Sequence, residues 1–143
     1  MSQYDLQKAK ALLDEGQYTC VLCCGDTIHT ATARGVKPLM QWLHSGQDFT
    51  GFCAADKVVG KATAYLYVLL GAQAVYSRVI SSSALAVFQS SGIRAEYTAL
   101  VPYIINRKGD GICPFEEAVL AIDNSRDALS AIQNKMNALG IPY

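Results

Sequence analysis

The sequence predicts an α/β fold, a three-layer α/β/α sandwich on a mixed sheet, and three observations carry that expectation. Segments with strand and helix periodicity alternate through the middle of the chain, as strand–helix–strand units require. Residues 72–80 form a near-continuous apolar run, the pattern of a central strand covered on both faces. The 143 residues are 51% apolar and 17% charged, enough for one domain that buries about two thirds of its unfolded surface. No repeat, low-complexity tract or linker divides residues 1–143.

The elements follow in order. Leu6, Ala9 and Leu13 share one stripe of an opening helix, with Gly16 at its end. Two β-rich runs, 18–24 and 27–32, flank Gly25-Asp26 and read as a hairpin. Pro38 suits the first turn of a helix that buries Leu39, Trp42 and Leu43 and stops at Gly46. A short extended segment, 49–53, leads into the most regular helical pattern of the chain. That helix starts near Asp56, buries Val58, Val59, Ala62, Leu66 and Leu69, and ends at Gly71. After the strand at 72–80, Ser81-Ser82-Ser83 supplies the N-cap of a helix through Leu85 and Phe88 that closes at Gly92. Residues 93–97 read as a strand. Residues 101–105 extend the sheet at an edge, because Pro102 has no N–H for a ladder. A polar loop at 106–112 precedes a helix opened by Pro114, and Ser125 caps a final amphipathic helix ending near Gly140.

Composition excludes several function classes. Twelve Lys and Arg balance twelve Asp and Glu, whereas a nucleic-acid module carries a basic surplus to neutralise phosphates. The polar N-terminus with early acids is unlike a signal or transit peptide. The most apolar window, 62–79, is interrupted by Gln73, Ser77 and Arg78 and is too short to span a bilayer. A cytoplasmic protein that engages neither membrane nor nucleic acid is expected. Its five cysteines, an odd number, should stay reduced there.

Three motifs carry a resemblance: Arg34-Gly-Val-Lys-Pro-Leu39; Gly51-Phe-Cys-Ala-Ala-Asp-Lys-Val-Val-Gly-Lys-Ala62; and Val101-Pro-Tyr-Ile-Ile-Asn-Arg107 continuing to Gly111-Ile-Cys-Pro-Phe-Glu-Glu-Ala-Val119. Over nearly the whole chain they resemble an uncharacterised bacterial domain-of-unknown-function family with a cytidine-deaminase-like fold. The resemblance implies the three-layer sandwich and no particular activity. Fold analogy also implies an oligomer, with a homodimer the first expectation. Deaminases of this fold activate a zinc-bound water using His-x-Glu at one helix start and Pro-Cys-x-x-Cys at the next. The corresponding positions here read Ala54-Ala55-Asp56 and Ile80-Ser81-Ser82-Ser83. Only Asp56 keeps an acid where the proton shuttle stands, so neither a metal site nor any other cofactor is expected.

The remaining candidates come from the residues themselves. Asp56, Lys57 and Lys61 fall in the first two turns of the predicted helix, where two ammonium groups four apart repel unless an anion joins them. Ser81 and Ser82 begin the next helix beyond the carboxyl end of a strand, where α/β sheets bind ligands. Each pair also has a plain structural reading, as caps and solvated lysines. Cys113, ahead of Pro114, stands at a helix start that lowers a thiol pKa, with Arg107 and Lys108 upstream and Glu116 and Glu117 downstream. Its plain reading is a small residue at a tight junction. Cys20 and Cys23 are three apart on a strand, so they face opposite sides and cannot close on one ion.

Three function classes stay open. The first is zinc-independent binding of a small anionic or nucleotide-like ligand by Lys57, Lys61, Ser81, Ser82 and Arg107. The second is an enzyme with Cys113 as nucleophile and Asp56 or Glu116 moving protons. The third is a structural or partner-binding subunit.

Overall fold

The computed structural model describes residues 2–106 and 108–143. Five strands form one sheet in the order β2-β1-β3-β4-β5. β1 (Cys20–Cys24) and β2 (Thr27–Ala31) are the expected hairpin, with Cys24 opposite Thr27 across a two-residue turn. Its turn is tied to helix α1 (Ser2–Glu15) twice: the Gly25 N–H donates to Asp5 Oδ1 and Lys8 Nζ donates to the Gly25 carbonyl. β1 also runs antiparallel to β3 (Cys53–Val59), and β3, β4 (Ala74–Ser81) and β5 (Arg94–Val101) are parallel. Helix α3 (Lys61–Leu70) crosses from β3 to β4, and α4 (Ser82–Ser90) from β4 to β5. The sheet is therefore mixed, as expected, with its antiparallel part confined to the hairpin side.

Helices cover the two faces unequally. On one face α1 lays Leu6, Ala9 and Leu13 against Val21, Cys23, Cys53, Ala55, Ala74 and Tyr76. On the other, α2 (Lys37–His44), α3, α4, α5 (Pro114–Ala118) and α6 (Ser125–Leu139) pack with Cys20, Leu22, Ala54 and Val75 of the sheet. The alternation along β1 sends Cys20 and Cys23 to opposite faces, as strand geometry requires. α3 is buried nearly all round, from Ala62 to Tyr67 and again at Leu70. It is the central helix of the domain rather than an amphipathic surface one.

Four sequence expectations are corrected. The helix expected from Asp56 starts only at Lys61, and residues 53–59 are strand β3. Alanine and lysine favour helix, but residues 53–56 pair with β1 on one side and β4 on the other, and that outweighs propensity. Val58, assigned to the buried stripe, is consequently 45% exposed. At 101–105 there is no further strand: β5 runs unbroken to Val101 and the ladder stops at Pro102, while Ile105 pairs only with Ile112 across the following loop. The last helix is capped by Asn124, whose side chain accepts the Asp127 N–H at 2.9 Å, and Ser125 is its first residue.

No helix among the described residues is long and apolar enough to cross a membrane.

Gly71 ends α3 in the left-handed conformation (φ 82°), its N–H bonded to the carbonyls of Tyr67 and Val68. A Cβ there would also lie 3.0 Å from Thr50 Oγ1. Gly71→Ala should cost about 1–2 kcal/mol from the left-handed strain. Urea denaturation should show this as a lower midpoint with unchanged slope.

Candidate functional site

The carboxyl end of β3 and the start of α3 open onto a cavity of about 720 Å³, within the size range of small-molecule sites. Asp56 and Lys57 enter it from β3, Gly60, Ala62 and Thr63 from the β3–α3 corner, and Thr19 from the approach to β1. Thr32 and Arg34 follow β2, and Ile104, Cys113 and Glu116 come from the segment leading into α5. Thr19 shapes this wall: its Oγ1 donates to the carbonyls of Ala31 (3.1 Å) and Ala33 (2.6 Å), fixing the turn that carries Arg34.

Asp56 sits mid-strand, opposite Cys20 on one neighbour and Ser77 on the other. It is 8% exposed. The Tyr67 hydroxyl, reaching down from α3, donates to its Oδ2 at 2.7 Å, and the Val58 N–H lies 3.3 Å from Oδ1. Tyr67 is also 2.9 Å from Cys20 Sγ. Burial pushes the Asp56 carboxyl from its ordinary 3.8 up to about 6, against the hydrogen bonds from Tyr67, Val58 and Lys57 that favour the anion. Burial, and then the Asp56 charge, hold the Cys20 thiol and the Tyr67 hydroxyl well above their ordinary values. Both are therefore protonated donors at neutral pH.

The second acid arrives from a distance. Pro114 starts the short helix α5, which places Glu116 over the first turn of α3. Glu116 Oε2 accepts the Lys61 N–H at 2.6 Å, and Lys61 Nζ donates to the Leu120 carbonyl at 3.1 Å. Gly60 makes this approach possible, because a Cβ there would lie 2.7 Å from the Glu116 carboxyl carbon. The acid beside the start of α3 is thus Glu116 rather than Asp56, which corrects the placement of Asp56 at a helix start. Lys57 and Lys61 likewise belong to different elements and share no helix face.

The predicted residues divide between two spaces. Asp56, Lys57, Cys113 and Glu116 line the main cavity. Lys61 and Ser82 line a neighbouring recess of about 180 Å³ with Tyr103, Ile112 and Leu120, and Glu116 borders both. Ser81 is fully buried and caps α4, its Oγ accepting the Ala84 N–H at 3.2 Å, so its structural reading is the one observed. Arg107 lies outside the described residues. Sequence reasoning did not assign Arg34, Tyr67 or Cys20 to the site. Arg34 was visible as part of a quoted motif, whereas Tyr67 and Cys20 join Asp56 only through the β1–β3 pairing and the packing of α3. Among the described residues, no three His, Cys, Asp or Glu side chains are grouped to hold a metal ion.

Fold and cavity together define a three-layer α/β domain with a ligand-sized crevice at its strand ends. The chain belongs to the TM1506 family, a domain of unknown function (DUF1893), whose model matches residues 8–136. The crystal structure of a DUF1893 family protein (TM1506) from Thermotoga maritima is similar over 94% of this chain and 92% of its own, with 24% identity and a TM-score of 0.87. That likeness shows a shared fold. A dCMP deaminase from the cyanophage S-TIM5, solved in apo form, aligns over 67% of this chain and 95% of its own, with 12% identity and a TM-score of 0.44. No curated protein matches the chain.

Two outcomes follow from this geometry. The folded state keeps a proton on Asp56 that the unfolded chain releases at lower pH. Stability should therefore fall as pH rises from the ordinary 3.8 to about 6, by about 3 kcal/mol in all, and then level off. Asp56→Asn should flatten that segment of a denaturation series taken across pH. At the corner, Gly60→Ala crowds the Glu116 carboxylate and should cost about 1–3 kcal/mol. Adding Glu116→Ala should recover part of that loss in a double-mutant cycle.

Proposed function

We propose that this chain binds a small anionic, nucleotide-like ligand in the main cavity, without zinc, as a cytoplasmic protein with reduced thiols. The observation that carries the reading is the joint placement of Arg34 and Lys57 in the same cavity as the first turn of α3. In that turn the N–H groups of Ala62 and Thr63 have no intrahelical partner. Such donors and the positive end of the helix dipole favour an anion. The position is also the one that open α/β sheets use, beyond the carboxyl ends of parallel strands. The polar lining also includes the threonines Thr19, Thr32 and Thr63, beside Gln17, Asp56, Cys113 and Glu116, and the hydroxyls suit a ligand with sugar-like groups. Lys61 and Ser82 serve the neighbouring recess in this reading rather than the ligand.

A second reading has an observation of its own. Cys113 shares the cavity with Asp56 and Glu116, so a thiol and two carboxyls face one space. In that reading Cys113 is a nucleophile and a carboxyl takes its proton.

The test is a thermal-shift series with nucleoside monophosphates, sugar phosphates and inorganic phosphate on the wild type, Lys57→Ala and Lys61→Ala. A ligand at one hundred times its dissociation constant adds about 2.7 kcal/mol of stability, a shift of several degrees for a domain of this size. The shift should vanish in Lys57→Ala and persist in Lys61→Ala. No shift with any anion sinks the binding reading. Ligand-protected alkylation of Cys113, together with release of a product, would transfer support to the second.

A further inference from the structure

The two edges of the sheet are finished differently. β2 is five residues long, and a short strand is one way a protein blunts an edge. β5 is eight residues long, none of them buried, and no strand among the described residues pairs with its outer side. Its register with β4 keeps one offset from Arg94 to Val101, so no bulge twists it away. From Ala95 to Val101 it carries no proline and no lysine. Its single acid there, Glu96, is paired with Arg94 (2.9 Å) and Lys10 (3.5 Å) of the same chain. Tyr97 and Leu100 are 41% and 47% exposed. A long edge without these protections is a template for another strand.

The backbone fixes what that edge offers. The Arg94 N–H donates to the Gln73 carbonyl, into the sheet. Strand groups alternate in direction, so Ala95, Tyr97 and Ala99 turn their N–H and C=O groups outward, where they meet no other element. Two antiparallel copies of β5, related by a two-fold axis at Thr98, pair all of these groups. Tyr97 of each copy then exchanges both bonds with Ala99 of the other, and Ala95 lies opposite Val101. A ring thus faces a methyl group, and Glu96 faces Leu100. The acids of the two copies stay about 13 Å apart, four residues along the strand, beyond the ~8 Å screening length. Centring the pair on Glu96 would instead set them face to face. From Tyr97 to Val101 the strand is uncharged, and the whole chain has no net charge, so two copies approach without long-range repulsion.

We propose that β5 is the seam of a homodimer, in which a second copy of the chain pairs antiparallel about Thr98 and continues the sheet. Fold analogy implied an oligomer without locating its interface, and the open edge locates it. A second copy is the occupant because it brings an edge of the same length, with its outward groups in register and no like charges opposed. Such an interface is isologous: each copy presents the same strand to the other. The strand supplies eight residues a side, against about 20–30 in a standard interface, so the dimer forms reversibly and depends on concentration. The seam is separate from the cavity, and pairing and anion binding stand or fall independently.

The experiment is sedimentation velocity on the full chain from low to high micromolar concentration. The wild type should pass from monomer to dimer across that range. Ala99→Pro removes an outward N–H and leaves the β4 ladder intact, so dimerisation should weaken about tenfold or more, the worth of one hydrogen bond lost per copy. Circular dichroism confirms that this variant folds, and if it does not, the two cysteine variants decide. They are oxidised with glutathione disulfide to test the register. Thr98→Cys sets two thiols across the axis, where α-carbons about 4.5 Å apart suit a disulfide, so a covalent dimer should form. Leu100→Cys, on the same face, sets its thiols about 13 Å apart and should run as a monomer on a denaturing gel, as should the wild type. A monomer at every concentration overturns the proposal and leaves the edge to an extended segment of another protein. So does a dimer that keeps its affinity in a folded Ala99→Pro, or one that links through Leu100→Cys rather than Thr98→Cys.

Discussion

The hydrogen bond from the Lys61 N–H to Glu116 links the two halves of the domain at the point where the sheet turns into its central helix. At 2.6 Å it is a short, charge-assisted contact, and it satisfies a donor that Gly60, having no side chain, cannot cap. Glu116 comes from a helix of five residues that begins at Pro114. Such a helix has little stability of its own, so it depends on what it touches. Its contact holds α5 against the start of α3, where Cys113, Phe115 and Glu116 supply one wall of the cavity. Without a glycine at position 60 the acid has no room, and without the acid the helix start is open to water.

The central place of β3 has consequences for both layers. Pairing of residues 53–56 with β1 on one side and β4 on the other holds the first half of the strand in the sheet and fixes which side chains face α3. Asp56 is thereby held beneath Tyr67, with Cys20 alongside. The single helix α1 suffices on the opposite face because the hairpin turn is tied down at Gly25 by Asp5 and Lys8. The heavier face carries five helices, and the cavity opens there, at the edge of α3. Rigid elements supply its floor, whereas loops supply Arg34, Ile104 and Cys113 on its walls.

Much of this was legible in the chain. The Leu6-Ala9-Leu13 stripe, the Gly25-Asp26 hairpin, the apolar run of β4, the Ser81 cap and the Gly71 stop rest on local patterns, and each appears in the structure. The β3–α3 boundary was not legible. Val58, Val59, Ala62, Leu66 and Leu69 have helical spacing across a segment that is half strand, because alanine and lysine carry no strand signal. The site inherited that error. Asp56 and Lys57 line the main cavity but lie on β3 rather than on the helix expected of them, and Lys61 and Ser82 line a different recess. Tyr67 could not be distinguished from the other tyrosines, since its role arises from a carboxyl eleven residues away that only the sheet brings beneath it.

By itself the sequence determined the class of the domain, the order of nearly all its elements and the set of ionisable residues available to a site. These depend on periodicity, turn chemistry and composition, which are properties of neighbouring residues. Only the tertiary structure decided which of those residues meet. The partners of Asp56 come from β1 and α3, and the partner of Lys61 comes from 55 residues further along the chain. A hydrogen bond between such positions leaves no periodic trace in the sequence, because it is selected by strand register and helix packing rather than by local conformation.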